Sequence, residues 1–220
     1  PYCDFNSHEW RTDATASKKT DSELSSELQS AYLDALLTDL DTSLPLVWGR
    51  PIQSVFIGGG TPSLFSAASM ARLISDLRAR LPLLPGAEIS LEANPGTFEK
   101  NRYRAFREAG VTRLSVGVQS FDDAHLLTLG RVHDAQQAWD AVQEASKASD
   151  TYNLDLMYAL PGQTLAQAKE DLATALSYAP PHLSLYHLTI EPNTIFAKFP
   201  PAVPEDDLSA EMQEMIEEQT

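Results

Sequence analysis

Apolar positions recur every three or four residues across 24–44. Leu24, Leu28, Ala31, Tyr32, Ala35, Leu36 and Leu40 fall on one side, which predicts an amphipathic helix. Residues 11–23 (RTDATASKKTDSE) carry no such period and read as a loop. Beyond residue 50 the pattern alternates. Short apolar, β-branched runs at 54–57, 88–91, 113–116, 152–156 and 183–186 predict strands. Helical patterns at 67–81, 99–109, 135–147 and 165–178, with a shorter one at 122–129, fill the gaps between them. Gly110, in REAGVTRLSV, stands where one helix should stop just before the next strand. The last stretch, 204–220, is acidic and helical and looks cut off within its helix.

Strand and helix alternating at this spacing mean βαβ units, a parallel sheet and right-handed crossovers. Periodicity alone fits both an open doubly wound sheet and a partial or complete barrel. In either, ligands bind at the carboxyl ends of the strands. The segments following the five strands are GGGTPS, EANPGT, QSFDD, DLMYALPGQT and HLTIEPNT. They carry Gly58–Thr61, Glu92 and Asn94, Gln119, Asp155, and His187 with Glu191 to one rim.

Each group also has a structural reading. The three glycines make a tight βα turn or let a ligand approach the backbone. They form neither a dinucleotide fingerprint nor a phosphate loop, because G-x-G-x-x-G and Gly-Lys-Ser/Thr are both absent there. Glu92 and Asp155 are strand-end caps or ligand groups, and His133 is a capping or surface histidine or a ligand. Arg131 is a surface ion-pair partner or the anchor of a ligand carboxylate. Five strand ends bearing ligand-type residues together point to a site.

Composition narrows the setting. With 31 acidic against 16 basic residues the formal net charge is −15, which disfavours nonspecific nucleic-acid binding. No apolar run reaches about 18 residues, so no membrane-spanning helix is predicted. The single cysteine, Cys3, excludes an internal disulfide, and a cytoplasmic protein fits best. The chain starts at Pro1 without an initiator Met or an apolar leader, which reads as processing or a fragment.

The motifs PYCDFNSH, FIGGGTPSLF, SLEANPGT, RLSVGVQSFDD, LGRVH, NLDLMYALPGQT and LTIEPNTIF resemble, in order, the radical S-adenosylmethionine (SAM) proteins related to oxygen-independent coproporphyrinogen III dehydrogenase. Within that group they look most like the heme-chaperone branch. The resemblance implies a partial (β/α)6 barrel of the TIM type. It also implies a first strand and a C-terminal domain that lie outside this sequence. Residues 1–203 would form the radical SAM core, and 204–220 would open the C-terminal region. An isolated piece of this kind would expose core surface and an unpaired sheet edge, and poor solubility is expected of it.

The family binds a 4Fe–4S cluster through C-x-x-x-C-x-x-C, and Cys3 matches the third cysteine, leaving one of three ligands in this chain. Three thiolates leave one iron open to the amine and carboxylate of SAM. By the same resemblance Tyr2 lies against the adenine, Gly59, Gly60 and Thr61 receive the methionine amine, and Arg131 meets its carboxylate. Glu92, Gln119 and Asp155 surround the methionine and ribose.

Two functions are implied. One is a chaperone that receives heme and delivers it to an acceptor protein. The other is a radical oxidase that decarboxylates coproporphyrinogen III. The dehydrogenase carries a further cysteine two residues after the third, where this chain has Phe5, which favours the chaperone. No heme ligand is assigned among the five histidines. "ALPGQ", with Ala159 where a Gly often stands, is the one departure inside the motifs.

Overall fold

Local signals fix each helix before packing does. Ser25 and Ser66 accept backbone N–H bonds at the starts of α1 (Ser26–Val47) and α2 (Ala67–Arg80). Reciprocal capping boxes, Asp134 with Gln137 and Thr164 with Gln167, start α5 (Ala135–Ala148) and α6 (Leu165–Ser177). The computed structural model describes residues 1–4, 24–95, 102–149 and 151–220. In chain order the elements are α1, β1 (Ile52–Ile57), a 3-10 turn (Pro62–Leu64), α2, β2 (Leu83–Ala93) and α3 (Arg102–Glu108). Then come β3 (Arg113–Gln119), α4 (Asp123–Thr128), α5 (Ala135–Ala148), β4 (Thr151–Tyr158) and α6 (Leu165–Ser177). The chain ends with β5 (His182–His187), α7 (Ile195–Lys198) and α8 (Asp206–Gln219).

All five strands pair in parallel in the order β1-β2-β3-β4-β5, curled into a half-barrel. This resolves the choice between open sheet and barrel in favour of a partial TIM-like α/β barrel. The five predicted strands are all present, each of them longer than predicted. β2 in particular starts near Leu83, ahead of the apolar run at 88–91. The helix predicted over 24–44 continues through Pro45 to Val47, because a proline in the last turn forfeits a single N–H bond. The loop at 11–23, Phe5 and the start of the helix predicted at 99–109 lie outside the described residues.

The two faces of the sheet differ sharply. Ile89, Leu91, Leu114, Val116, Leu154 and Leu156 point to the outer face and pack against α1, α2, α3, α5 and α6 in one core. Each such fully buried aliphatic side chain stabilises by about 1.5–3 kcal/mol. The alternate residues form the inner face, and most are polar: Glu88, Ser90 and Glu92 on β2, Arg113 and Ser115 on β3, Asn153 and Asp155 on β4, Ser184 on β5. On β1, an edge strand, Phe56 is 64% exposed. An apolar groove of about 780 Å³ runs beside it, lined by Leu28, Tyr32 and Leu36 of α1 and by Val55, Ile57 and Leu73. At the other end α8 buries Met212 and Ile216, the former in a cluster with Ala159 and Ala168. No helix among the described residues is long and apolar enough to cross a membrane.

Candidate functional site

The carboxyl ends of β1 to β4 converge on the inner face, whereas the expected rim counted all five strands. Glu92, the second-last residue of β2, accepts a hydrogen bond from the Gly59 N–H at 3.2 Å. A side chain at Gly58 would place its Cβ 3.0 Å from the Glu92 carboxyl carbon and from both oxygens. Gly58 is therefore what admits Glu92. Gly59 has φ +134, a backbone that side chains rarely adopt, and nothing stands within 4 Å of where its Cβ would be. Gly60 is exposed, and Thr61 donates its hydroxyl to the Gly60 carbonyl at 2.6 Å. These two residues line the loop without meeting the other site groups.

Asp155 on β4 is held by two neighbours. Ser115 Oγ donates to its Oδ2 at 2.9 Å, and Asn153 Nδ2 donates to its Oδ1 at 2.8 Å. Asn153 Nδ2 also reaches Ser115 Oγ at 2.9 Å, and Ser184 Oγ donates to Asn153 Oδ1 at 3.1 Å. Three strands thus fix one carboxylate. Burial raises the Asp155 pKa, while the Ser115, Asn153 and Ser184 hydrogen bonds and the Arg113 charge pull it down. Glu92 is raised as well, first by burial and then by the Asp155 charge, against the opposing Gly59 N–H. Below them Arg113 pairs with Glu88 at 3.2 Å, and Ser90 donates to the same carboxylate at 2.8 Å.

Arg131, on the loop after α4, closes the other side. Its Nη2 donates to Asn94 Oδ1 at 2.7 Å and to the Gly117 carbonyl at 2.9 Å, and its Nη1 donates to Tyr2 Oη at 3.3 Å. Arg131 is therefore built into the rim and is not a surface ion-pair partner. Gln119 ends β3 at φ +68, next to a shift in the β3–β4 register, and its Nε2 lies beside Gly117. The turn after it is clamped by buried Asp171 of α6, which accepts from Ser120 Oγ and from the Phe121 N–H, both at 2.7 Å.

The N-terminal segment sits against this rim. Tyr2 packs its ring with Leu129, Met157, Leu160, Leu188 and Phe196, and Cys3 is an exposed free thiol. His187 does not face the rim with Glu92 and Asp155. Its side chain is on the outer side of β5, edge-on to Tyr158 at 5.3 Å between ring centroids, and Tyr158 packs in the α6–α8 cluster. The alternation of β5 sends Ser184 inward and His187 outward. His133 is also structural: its Nε2 meets the Val118 carbonyl at 3.1 Å, and burial lowers its pKa.

Ser115, Asn153 and Gly117 were not singled out by sequence reasoning. The signal was the period of two in RLSVGVQ and NLDL, which puts small or polar residues on one face of strands whose other face is wholly apolar.

The Radical SAM superfamily profile matches residues 1–175. The chain belongs to the radical SAM superfamily. It is 47% identical over 208 residues to the heme chaperone HemW of Escherichia coli, covering 94% of this chain and 52% of that protein. The HemW of Haemophilus influenzae is 45% identical over 212 residues, with 94% and 52% covered. The chain thus spans about half the length of the curated relatives it matches. Among solved structures, the radical SAM enzyme coproporphyrinogen III oxidase (HemN) of Escherichia coli superposes with a TM-score of 0.75 at 29% identity. That match covers 86% of this chain and 45% of that one.

The radical SAM cofactors can be tested against these residues. The site fits SAM: a guanidinium for a carboxylate, two carboxylates on the inner face for hydroxyls or an amine, and a glycine turn open above Glu92. A 4Fe–4S cluster is not matched by the residues present. The sequence holds one cysteine, and no group of three His, Cys, Asp or Glu among the described residues could hold a metal ion.

Proposed function

We propose that this chain is the core of a heme chaperone, binding SAM at the rim of the half-barrel and, in the full-length protein, handing heme to an acceptor protein. The observation that carries this reading is the order of similarity: 47% identity to a HemW over 94% of the chain, against 29% to the coproporphyrinogen III oxidase structure. Phe5, standing where the resemblance puts a further cysteine in the dehydrogenase, points the same way. Residues 1–203 constitute the radical SAM core and 204–220 open the next region, and the protein works in the cytoplasm.

In this reading the Arg131 guanidinium holds the SAM carboxylate, and Asp155 and Glu92 accept hydrogen bonds from the ribose or amine. Gly59, Gly60 and Thr61 pass along the methionine, Gln119 supplies an amide, and Tyr2 brings Cys3 to the same rim. When bound, SAM would bring an activated sulfonium to this rim. The residues of this chain orient the cofactor and fix its charges. Cys3 could serve as one thiolate of a 4Fe–4S cluster only alongside cysteines that this sequence does not hold.

The test is a titration of the full-length protein with heme followed by mixing with an apo-hemoprotein. The reading expects a Soret band on binding and its transfer to the acceptor, with coproporphyrinogen III left unchanged. Decarboxylation of coproporphyrinogen III without heme transfer refutes it in favour of the oxidase.

A further inference from the structure

The first residues of the chain are not a loose end beside the site. Pro1 lies over Gly130, where an added Cβ would stand 2.6 Å from the proline Cδ, and the Phe196 N–H donates to the Pro1 carbonyl at 3.1 Å. The Tyr2 ring is seated among Leu129, Met157, Leu160, Leu188 and Phe196. Pro1 and Tyr2 are therefore held at three points on α7 and on the loop that carries Arg131.

The Tyr2 hydroxyl adds something that a seated ring alone does not. It accepts from Arg131 Nη1, while both hydrogens of Arg131 Nη2 go to Asn94 Oδ1 and to the Gly117 carbonyl. The guanidinium is thereby gripped by the residue that follows β2, by β3 and by the cysteine-bearing segment at once. Among the described residues its Nε–H and one Nη1 hydrogen meet no acceptor and remain for a ligand. A planar cation held at three points meets a carboxylate with little rotational freedom left to lose.

We propose that the Tyr2 hydroxyl is a positioning group for Arg131: it couples the Cys3 segment to the carboxylate anchor of the site, so that the ligand's carboxylate is bound only as well as that segment is seated. The proposal rests on the reading of the rim as a SAM site and adds to it a role for the phenol that contact with the adenine does not require. It predicts dependence on the amino-acid part of the ligand alone.

The experiment is isothermal titration of the full-length protein, without reductant, using two probes. SAM carries the carboxylate, and 5′-methylthioadenosine keeps the adenosine and sulfur but lacks it. Tyr2→Phe deletes one oxygen and leaves the ring in its apolar seat. A hydrogen bond to a charged group, here long and half-exposed, corresponds to a loss of roughly three- to tenfold in SAM affinity. Affinity for 5′-methylthioadenosine should stay unchanged. Arg131→Lys should lower SAM affinity further, and Tyr2→Phe added to Arg131→Lys should cost nothing more, since the hydroxyl then has no guanidinium to hold.

Equal losses for both probes overturn the proposal and assign Tyr2 to the adenosine. An additive double variant, or unchanged SAM affinity in Tyr2→Phe, overturns it too. If the unsubstituted protein binds neither probe, the SAM reading of the site fails and takes the proposal with it, an outcome separate from the other three.

Discussion

Gly117 offers a substitution in which the fold and the site should respond differently. It lies inside β3 with an ordinary negative φ, so alanine is conformationally allowed there. On backbone entropy alone, Gly117→Ala should stabilise the strand by about 0.5–1 kcal/mol. The new methyl, however, would stand 3.0 Å from Gln119 Nε2, 3.2 Å from Asn94 Oδ1 and 3.3 Å from Arg131 Nη2. All three are ends of side chains, so each yields by a few tenths of an ångström and the backbone stays put. The hydrogen bond at risk is Arg131 to Asn94, 2.7 Å long and half-exposed, and water partly replaces it, so its loss costs about 1 kcal/mol.

The two contributions nearly cancel in stability. A thermal melt of Gly117→Ala should stay within about 4 °C of the unsubstituted protein, the shift expected for about 1 kcal/mol in a chain of this size. Binding carries no such compensation. On the proposed reading the displaced guanidinium and amide both face SAM, whose affinity should then fall about tenfold, which corresponds to about 1.4 kcal/mol. The pair of measurements is a melt and a calorimetric titration on the same protein. A melting point lowered by about 8 °C or more would mean that Gly117 serves the sheet. Unchanged affinity would mean that Arg131 and Gln119 do not meet the ligand. Either result refutes the reasoning.

Gly130→Ala should behave in the opposite way: φ +67 is a left-handed backbone, and the Cβ would stand 2.6 Å from Pro1, so stability should fall by at least about 1–2 kcal/mol. A melting point equal to that of the unsubstituted protein would show that the N-terminal segment is not seated as described. Asp171 is buried, and burial raises its pKa against the Ser120 and Phe121 hydrogen bonds, so the folded chain keeps this proton to higher pH than the unfolded one. Stability should therefore fall as pH rises from the ordinary aspartate range through the raised folded value. Asp171→Asn should flatten that slope in urea melts at several pH values, with Asp155 and Glu92 still contributing in the same sense; an unchanged slope would sink this assignment.

The alternation of strands and helices was legible because each outer-face strand residue buries against helices, and the resulting apolar runs are short, β-branched and bounded by polar turns. The rim was legible for a related reason: Glu92, Gln119 and Asp155 interrupt or end those runs where a purely structural strand has no use for an amide or a carboxylate. What could not be read was set by geometry between strands. Whether His187 looks inward or outward depends on one step of register, and the sequence of β5 alone, with Leu183 and Leu185 on one side and Ser184 and Tyr186 on the other, does not say which side holds the helices. The link from Tyr2 to Arg131 spans 129 residues and rests on the seat that Gly130 gives to Pro1.

The polarity of the inner face ties these points together. A closed TIM barrel fills its interior with branched aliphatic side chains. Here the same positions hold Glu88, Ser90, Glu92, Arg113, Ser115, Asn153, Asp155 and Ser184, and most of these are joined by hydrogen bonds. A half-barrel could not draw its stability from that set, because paired polar groups contribute little net stability once the cost of desolvating them is counted. The outer core of Ile89, Leu91, Val116 and Leu154 supplies the stability instead. That division leaves the inner face free to be built around a polar ligand, which is why substitutions at Gly117 should separate binding from folding.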